Sequence, residues 1–192
     1  GESFKMLSKK IFFKKIHLID ISRKMIEKSK LKILDKRVSF DQRDFDSFNN
    51  FEDFDFIFSN MSIHWSKDIL KLFRKIVERI KKNAFLVISF PNSKCFNNLE
   101  NYQRKYLNNF PDARDLIKTL DNRKFLFKHK EKVHKQKFEN FFYFLKNLKL
   151  IGANVSNKDT KNSSGIFGIR RDKKRINVCF NISYLFLKKI RN

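Results

Sequence analysis

The run FDFIFSNMSIHWSKDILKLFRKIVERIKKNAFLVISF, residues 54–90, decides the fold. Its opening, FDFIFS (54–59), reads as a short strand. Ile69, Leu72, Phe73, Ile76 and Ile80 then recur at the spacing of one helix face. Ser66 is the expected cap of that helix, with Asp68 in its first turn, where the helix dipole favours an anion. The helix is expected to end in Lys81 and Lys82, with Asn83 closing it. AFLVISF (84–90) is continuously apolar, as expected of a strand buried on both faces. Strand, helix and strand in this order mean parallel strands joined by a right-handed crossover.

The same alternation continues upstream. IHLIDI (16–21) reads as a short buried strand ending in an acid. Ser22 is a plausible N-cap for a helix carrying Met25, Ile26 and Ile33, and RVSFD (37–41) reads as another strand. Downstream of Pro91 the character changes. Residues 92–110 are polar, Asn-rich and partly helical. Pro111 suits the first turn of a short helix with Ala113, Leu116, Ile117 and Leu120. RKFLFKH (123–129) is a candidate strand. Phe138, Phe141, Phe142, Leu145 and Leu148 mark a helix that ends near Gly152. A loop is expected around Ser163-Ser164-Gly165, and INVCFNISYLFLKKI (176–190) reads as a terminal strand. The expected fold is α/β, with a mostly parallel sheet whose ligands sit beyond the carboxyl ends of the strands.

Composition narrows the function. The 192 residues carry 44 Lys and Arg against 20 Asp and Glu, a net charge of +24. That favours acidic partners. However, Lys, Phe, Asn and Ile are over-used together, a skew that A/T-rich codons produce without selection for a basic surface. The two cysteines, Cys95 and Cys179, lack CxxC spacing, so neither a disulfide scaffold nor structural zinc is expected. No apolar run reaches membrane-span length, no signal peptide is visible, and the default location is the cytoplasm. The chain carries no GxSxG elbow or Walker loop, and its histidines do not have metal-ligand spacing.

Three positions can carry chemistry. Asp20, with Ile21 after it, ends a strand before a helix, where a carboxylate can accept hydrogen bonds from both ribose hydroxyls of a nucleotide. Asp44-Phe45 can bond an adenine amino group while the ring packs on the base; Asp41 and Asp46 crowd the same stretch. Ser59-Asn60 ends the next strand and faces the crevice. His64 beside Trp65 reads as structural rather than as a base, and Trp65 is expected against the sheet edge. The basic aromatic segment 123–146 could bind nucleic acid, but its Phe spacing fits a packed helix better.

These residues in this order resemble the class I S-adenosylmethionine-dependent methyltransferases: strand–Asp20, then Asp44, then DFDFIFSNMSIHW (53–65), then AFLVISFP (84–91). FSNMSIHW (58–65), FFYFLKNLKLIGAN (141–154) and FNISYLFLKK (180–189) look like the malonyl-[acyl-carrier protein] O-methyltransferases of biotin synthesis (BioC family). Leu148-Lys149-Leu150-Ile151-Gly152-Ala153 fits that group's pattern, and Ser183-Tyr184 stands where it has Thr-Tyr. The resemblance implies a Rossmann-like sheet with an antiparallel last strand. It implies a cofactor-binding part over residues 1–91, a helical insertion or lid with its return helix over 92–150, and closing strands over 151–192. Gly1, Asp20, Ile21, Asp44, Phe45 and Asn60 would bind S-adenosyl-L-methionine. No catalytic residue and no metal are implied.

The implied partner is an acidic acyl-carrier protein bearing malonyl. Neither nucleic acid nor membrane is favoured, and a monomer is expected. The sequence leaves open two other readings: an assembly factor or hydroxylase on the same fold, like those of respiratory complex I, and a basic nucleic-acid-binding module. The family's first strand and glycine-rich loop would precede residue 16, and only Gly1 stands near the place of its last glycine. The expectation is therefore a fragment whose sheet lacks its central strand, leaving unpaired edges.

Overall fold

A computed structural model of the chain describes residues 2–150 and 174–191. The elements run α1 (Glu2–Ser8), β1 (Ile16–Asp20), α2 (Arg23–Lys32), β2 (Val38–Gln42), β3 (Phe56–Asn60), α3 (Ile69–Arg79), β4 (Phe85–Pro91), α4 (Asn101–Arg104), α5 (Ala113–Ile117), β5 (Phe125–Phe138), α6 (Phe141–Leu150) and β6 (Ile176–Lys189). Gly1, the Ile151-Gly152-Ala153 run and the Ser163-Ser164-Gly165 loop lie outside the described residues.

The strands form two sheets. β1 and β2 pair in parallel, with Ile16 opposite Val38 and Asp20 opposite Gln42. The larger sheet has the order β3-β4-β6-β5. β3 and β4 are parallel, and β6 is antiparallel to both β4 and β5. β5 therefore runs parallel to β4, and β6 alone is reversed. This is the mostly parallel sheet with an antiparallel last strand.

The core follows from the quoted run. Leu72, Phe73, Ile76 and Val77 of α3 are buried against Leu86, Ile88 and Phe90 of β4, Leu185 and Leu187 of β6, and Leu116 of α5. Fully burying side chains of this size stabilises by ~1.5–3 kcal/mol each relative to exposure. A second cluster forms from Phe96, Leu99, Leu107, Phe141, Phe144, Leu148 and Val178, with Phe138 and Phe180 at its margin. β5 and β6 pair over their full lengths, whereas β4 pairs with β6 only over 182–188, so the hairpin extends past the carboxyl end of β4.

Several boundaries differ from the sequence expectation. The cap of α3 is Asp68, whose carboxylate accepts from Lys71 N at 2.9 Å. Ser66 is occupied elsewhere: its hydroxyl donates to Asp46. α3 stops at Arg79, and Asn83 takes φ 66° in the turn before β4, a conformation Asn tolerates. Asp112 caps α5, which starts at Ala113, so Pro111 lies ahead of the cap rather than in the first turn. The region 92–150 is not wholly helical, because β5 runs through it, and Phe138 closes that strand instead of opening α6. The segment 16–21 is only half-buried through β1, and Ile21 is exposed.

The loop between β2 and β3 ties the two sheets together. Asp46 accepts from Ser66 Oγ and from Lys67 N (2.9 Å), while Lys75 Nζ donates to the Asp46 carbonyl at 2.6 Å. Phe48 and Phe51 from this loop are buried in the main core.

Candidate cofactor site

The parallel strands β1 and β2 bring their carboxyl ends side by side, and this places Asp20 and Asp44 as neighbours. Arg43 N donates to the Asp20 carbonyl at 3.2 Å, so the two chains stay in register one residue beyond the ladder. Asp20 Oδ1 accepts from Ser22 N at 2.8 Å. Ser22 in turn caps α2, its hydroxyl accepting from Met25 N at 3.4 Å. The carboxylate is thereby held at the strand–helix junction with its other oxygen unclaimed among the described residues. Asp44 is held the same way, Oδ1 accepting from Asp46 N at 2.9 Å at the start of the single turn Phe45–Ser47.

The apolar neighbours of these acids differ. Ile21 stands 65% exposed beside Asp20, an aliphatic surface open to a ligand. Phe45 is partly buried and leans on the main core. The Phe45 ring can therefore offer a ligand only the part that the core leaves uncovered.

Asn60 belongs to the other sheet, at the carboxyl end of β3. Its Oδ1 accepts from Ser89 Oγ at the end of β4, and its Nδ2 donates to Ser3 Oγ of α1 at 3.3 Å. Met61 follows at φ 53°, with its N–H donating to the Ser89 carbonyl at 2.9 Å. A non-glycine residue held in the left-handed region costs ~1–2 kcal/mol, and such positions cluster at functional sites. The structure thus brings Asp20, Ile21, Asp44 and Phe45 together and places Asn60 at the matching end of the second sheet.

His64 lies in the single turn Ile63–Trp65 after β3. Its ring is 4.8 Å from Trp65 and 5.6 Å, edge-on, from Phe110. Burial pushes its pKa down to about 4, and its Nδ1 is buried without a hydrogen-bond partner among the described residues. A group so reluctant to protonate is a poor base at neutral pH. Trp65 is 42% exposed and covers His64 more than it covers a sheet edge. Cys95 is buried, and that burial pushes its thiol up to about 12, so it supplies no thiolate at neutral pH.

Sequence reasoning missed a buried polar cluster just beyond β4. Asn92, 2% exposed, donates from Nδ2 to Ser183 Oγ (2.8 Å) and Asn181 Oδ1 (3.0 Å). His129 Nε2 lies 3.2 Å from the same Ser183 hydroxyl. These residues come from three separate elements, so no local pattern announces them. The one available signal was a polar residue directly after the apolar run 84–91. No group of three or more metal-binding side chains occurs among the described residues, and none of their helices is long and apolar enough to cross a membrane.

Residues 1–88 match the family described as Methyltransferase domain. The chain is 28% identical to malonyl-[acyl-carrier protein] O-methyltransferase 1 of Ilyobacter polytropus, over 92% of this chain and 72% of that protein. The YcgJ protein of Bacillus subtilis has a similar fold (TM-score 0.67, 13% identity, 100% of this chain and 88% of that one). So does the plantazolicin methyltransferase BpumL in complex with SAH (TM-score 0.58, 13% identity, 100% and 72%). Residues 1–88 thus resemble a methyltransferase domain, and the chain shares the fold of these solved structures. The sheet order and the reversed β6 belong to that shared fold.

Proposed function

We propose that this protein methylates the free carboxylate of a malonyl group carried on an acidic acyl-carrier protein, a masking step in biotin synthesis. The observation that carries the reading is the reach of the similarity. It extends over 92% of the chain, well beyond the methyltransferase segment 1–88 and into the helix and strands that follow.

The residues present fit the adenosine half of S-adenosylmethionine. In this reading Asp20 holds the ribose hydroxyls with the oxygen that Ser22 leaves free, and Ile21 covers the sugar. Asp44 and the open part of Phe45 take the adenine. Asn60 lines the methionine side. When bound, the cofactor supplies an electrophilic methyl: a C–O bond forms to the carboxylate as the S–CH₃ bond breaks, the electron pair stays on sulfur, and no proton moves. A carboxylate is already ionised at neutral pH, so the protein's task is alignment rather than base catalysis. A neutral His64 is consistent with that chemistry. The surplus of cations suits an acidic partner, and two unbridged cysteines suit the reducing cytoplasm where the proposal places the enzyme.

The direct test mixes this chain with S-adenosylmethionine and malonyl-carrier protein and weighs the carrier protein by mass spectrometry. The expected result is the gain of one methyl group. A chain that binds S-adenosylhomocysteine yet leaves malonyl-carrier protein unmodified would sink the proposal. The cofactor assignment is tested by calorimetry: Asp20→Ala should weaken S-adenosylhomocysteine by roughly tenfold or more, the size of hydrogen bonds lost from a charged group. Unchanged affinity would remove Asp20 from the site.

A further inference from the structure

A cavity of about 220 Å³ opens just past the carboxyl end of β4. Ser93 starts its wall and is fixed there by its N–H, which donates to the Pro111 carbonyl at 3.0 Å. Phe96, Leu107 and Phe110 supply apolar walls; Arg104 and Asn109 supply polar ones. Phe110, one of its walls, also meets His64 edge-on at 5.6 Å, in the turn that follows β3 and Asn60. It therefore lies on the side of the sheet where ligands of such folds bind.

Three features make it a site for an anion. No Asp or Glu lines it. Arg104 makes no ion pair among the described residues, although Arg37, Arg114 and Arg123 each hold a nearby aspartate. The guanidinium presents a planar fork of donors suited to a carboxylate. Phe96 sits at φ 65°, with its N–H donating to the Cys179 carbonyl at 2.9 Å. A bulky residue in the left-handed region is costly, and here it holds one wall of the cavity in place. The volume is enough for several waters or for a short acyl group.

We propose that this cavity receives the carboxyl end of a short acyl group and that Arg104 is the residue that selects for its negative charge. The inference rests on the methyl-acceptor reading above and deepens it by naming the specificity residue. The guanidinium pairs one edge of the carboxylate and leaves an oxygen lone pair free for the methyl. Uncharged acyl groups would lack this pairing.

The test titrates the chain, saturated with S-adenosylhomocysteine, with malonyl-pantetheine and with acetyl-pantetheine by calorimetry. The wild type should prefer the malonyl probe by about tenfold or more, a loss typical of one charged hydrogen-bonded pair. Arg104→Gln should abolish that preference while keeping S-adenosylhomocysteine affinity and the circular dichroism spectrum. Arg104→Lys should restore part of it. An equal preference in Arg104→Gln overturns the assignment, and so does a wild type that binds both probes alike or neither. An Arg104-dependent preference without methyl transfer would fault the proposed function and leave the cavity assignment standing.

Discussion

The two sheets of this molecule are built from similar strands but are held very differently. β1 has no fully buried residue: all five of its side chains are half-buried, and among the described residues its one strand partner is β2. β4 is buried at Leu86, Ile88, Ser89, Phe90 and Pro91 and has a strand on each side. The small sheet carries the acids of the candidate cofactor site. The large sheet, with α3, carries most of the main core. Burial rather than strand pattern therefore decides where stability resides, and the candidate site's acids occupy the less buried piece. This division accords with binding elements being drawn from the less stable parts of a fold.

The largest expected effect tests that contrast directly. Phe73 of α3 is fully buried, and Phe73→Ala removes an aromatic ring from the centre of the main core. It should cost ~3–5 kcal/mol. Leu18 of β1 is half-buried and belongs to neither cluster, so Leu18→Ala should cost roughly 1 kcal/mol. Denaturant unfolding followed by circular dichroism measures both. Equal costs would mean that the small sheet is as firmly embedded as the large one.

A second test uses pH and the turn after β3. Unfolded His64 should protonate near 6.5, whereas folded His64 resists until about 4 because burial penalises its cation. Between those values the unfolded chain binds more protons, so stability is full above about 6.5 and falls as the pH drops toward 4. At ~1.4 kcal/mol per pH unit the full loss is about 3 kcal/mol. His64→Phe should flatten that part of the profile. A profile unchanged by the substitution would show that the acid sensitivity arises elsewhere.

How far the sequence could be read follows the same division. α3 and β4 were legible because one-sided and continuous burial leave the periodicities that 69–80 and 84–90 display. β5 was legible only at its start. Along KHKEKVHKQK (128–137) nearly every side chain is exposed, since among the described residues β5 is an edge strand with a single partner, and no apolar alternation survives. Lysines on such an edge also discourage pairing with other chains. The positions of Asp20 and Asp44 could be inferred because strand ends are local features. Asp46 could not be told from Asp41 and Asp44, since its role depends on Ser66, Lys67 and Lys75 some twenty to thirty residues away. Arg104 is one cation among 44, and only the cavity around it sets it apart.

The smallest effect sits at the carboxyl end of β3. Met61 holds φ 53° directly after Asn60, clamped by the Ser89 carbonyl and hydroxyl. Glycine would adopt that conformation without the Cβ clash but would lose more freedom on folding. The clash is worth ~1–2 kcal/mol and the added entropy cost ~0.5–1 kcal/mol, so Met61→Gly should stabilise the fold by about 0.5 kcal/mol. The gain should appear in the unfolding midpoint of the large sheet. A marked loss of stability would instead show that the 41%-exposed Met61 side chain contributes packing that its exposure conceals. The strain would then be offset locally, and the end of β3 would be held by side-chain contacts as well as by its hydrogen bonds to Ser89.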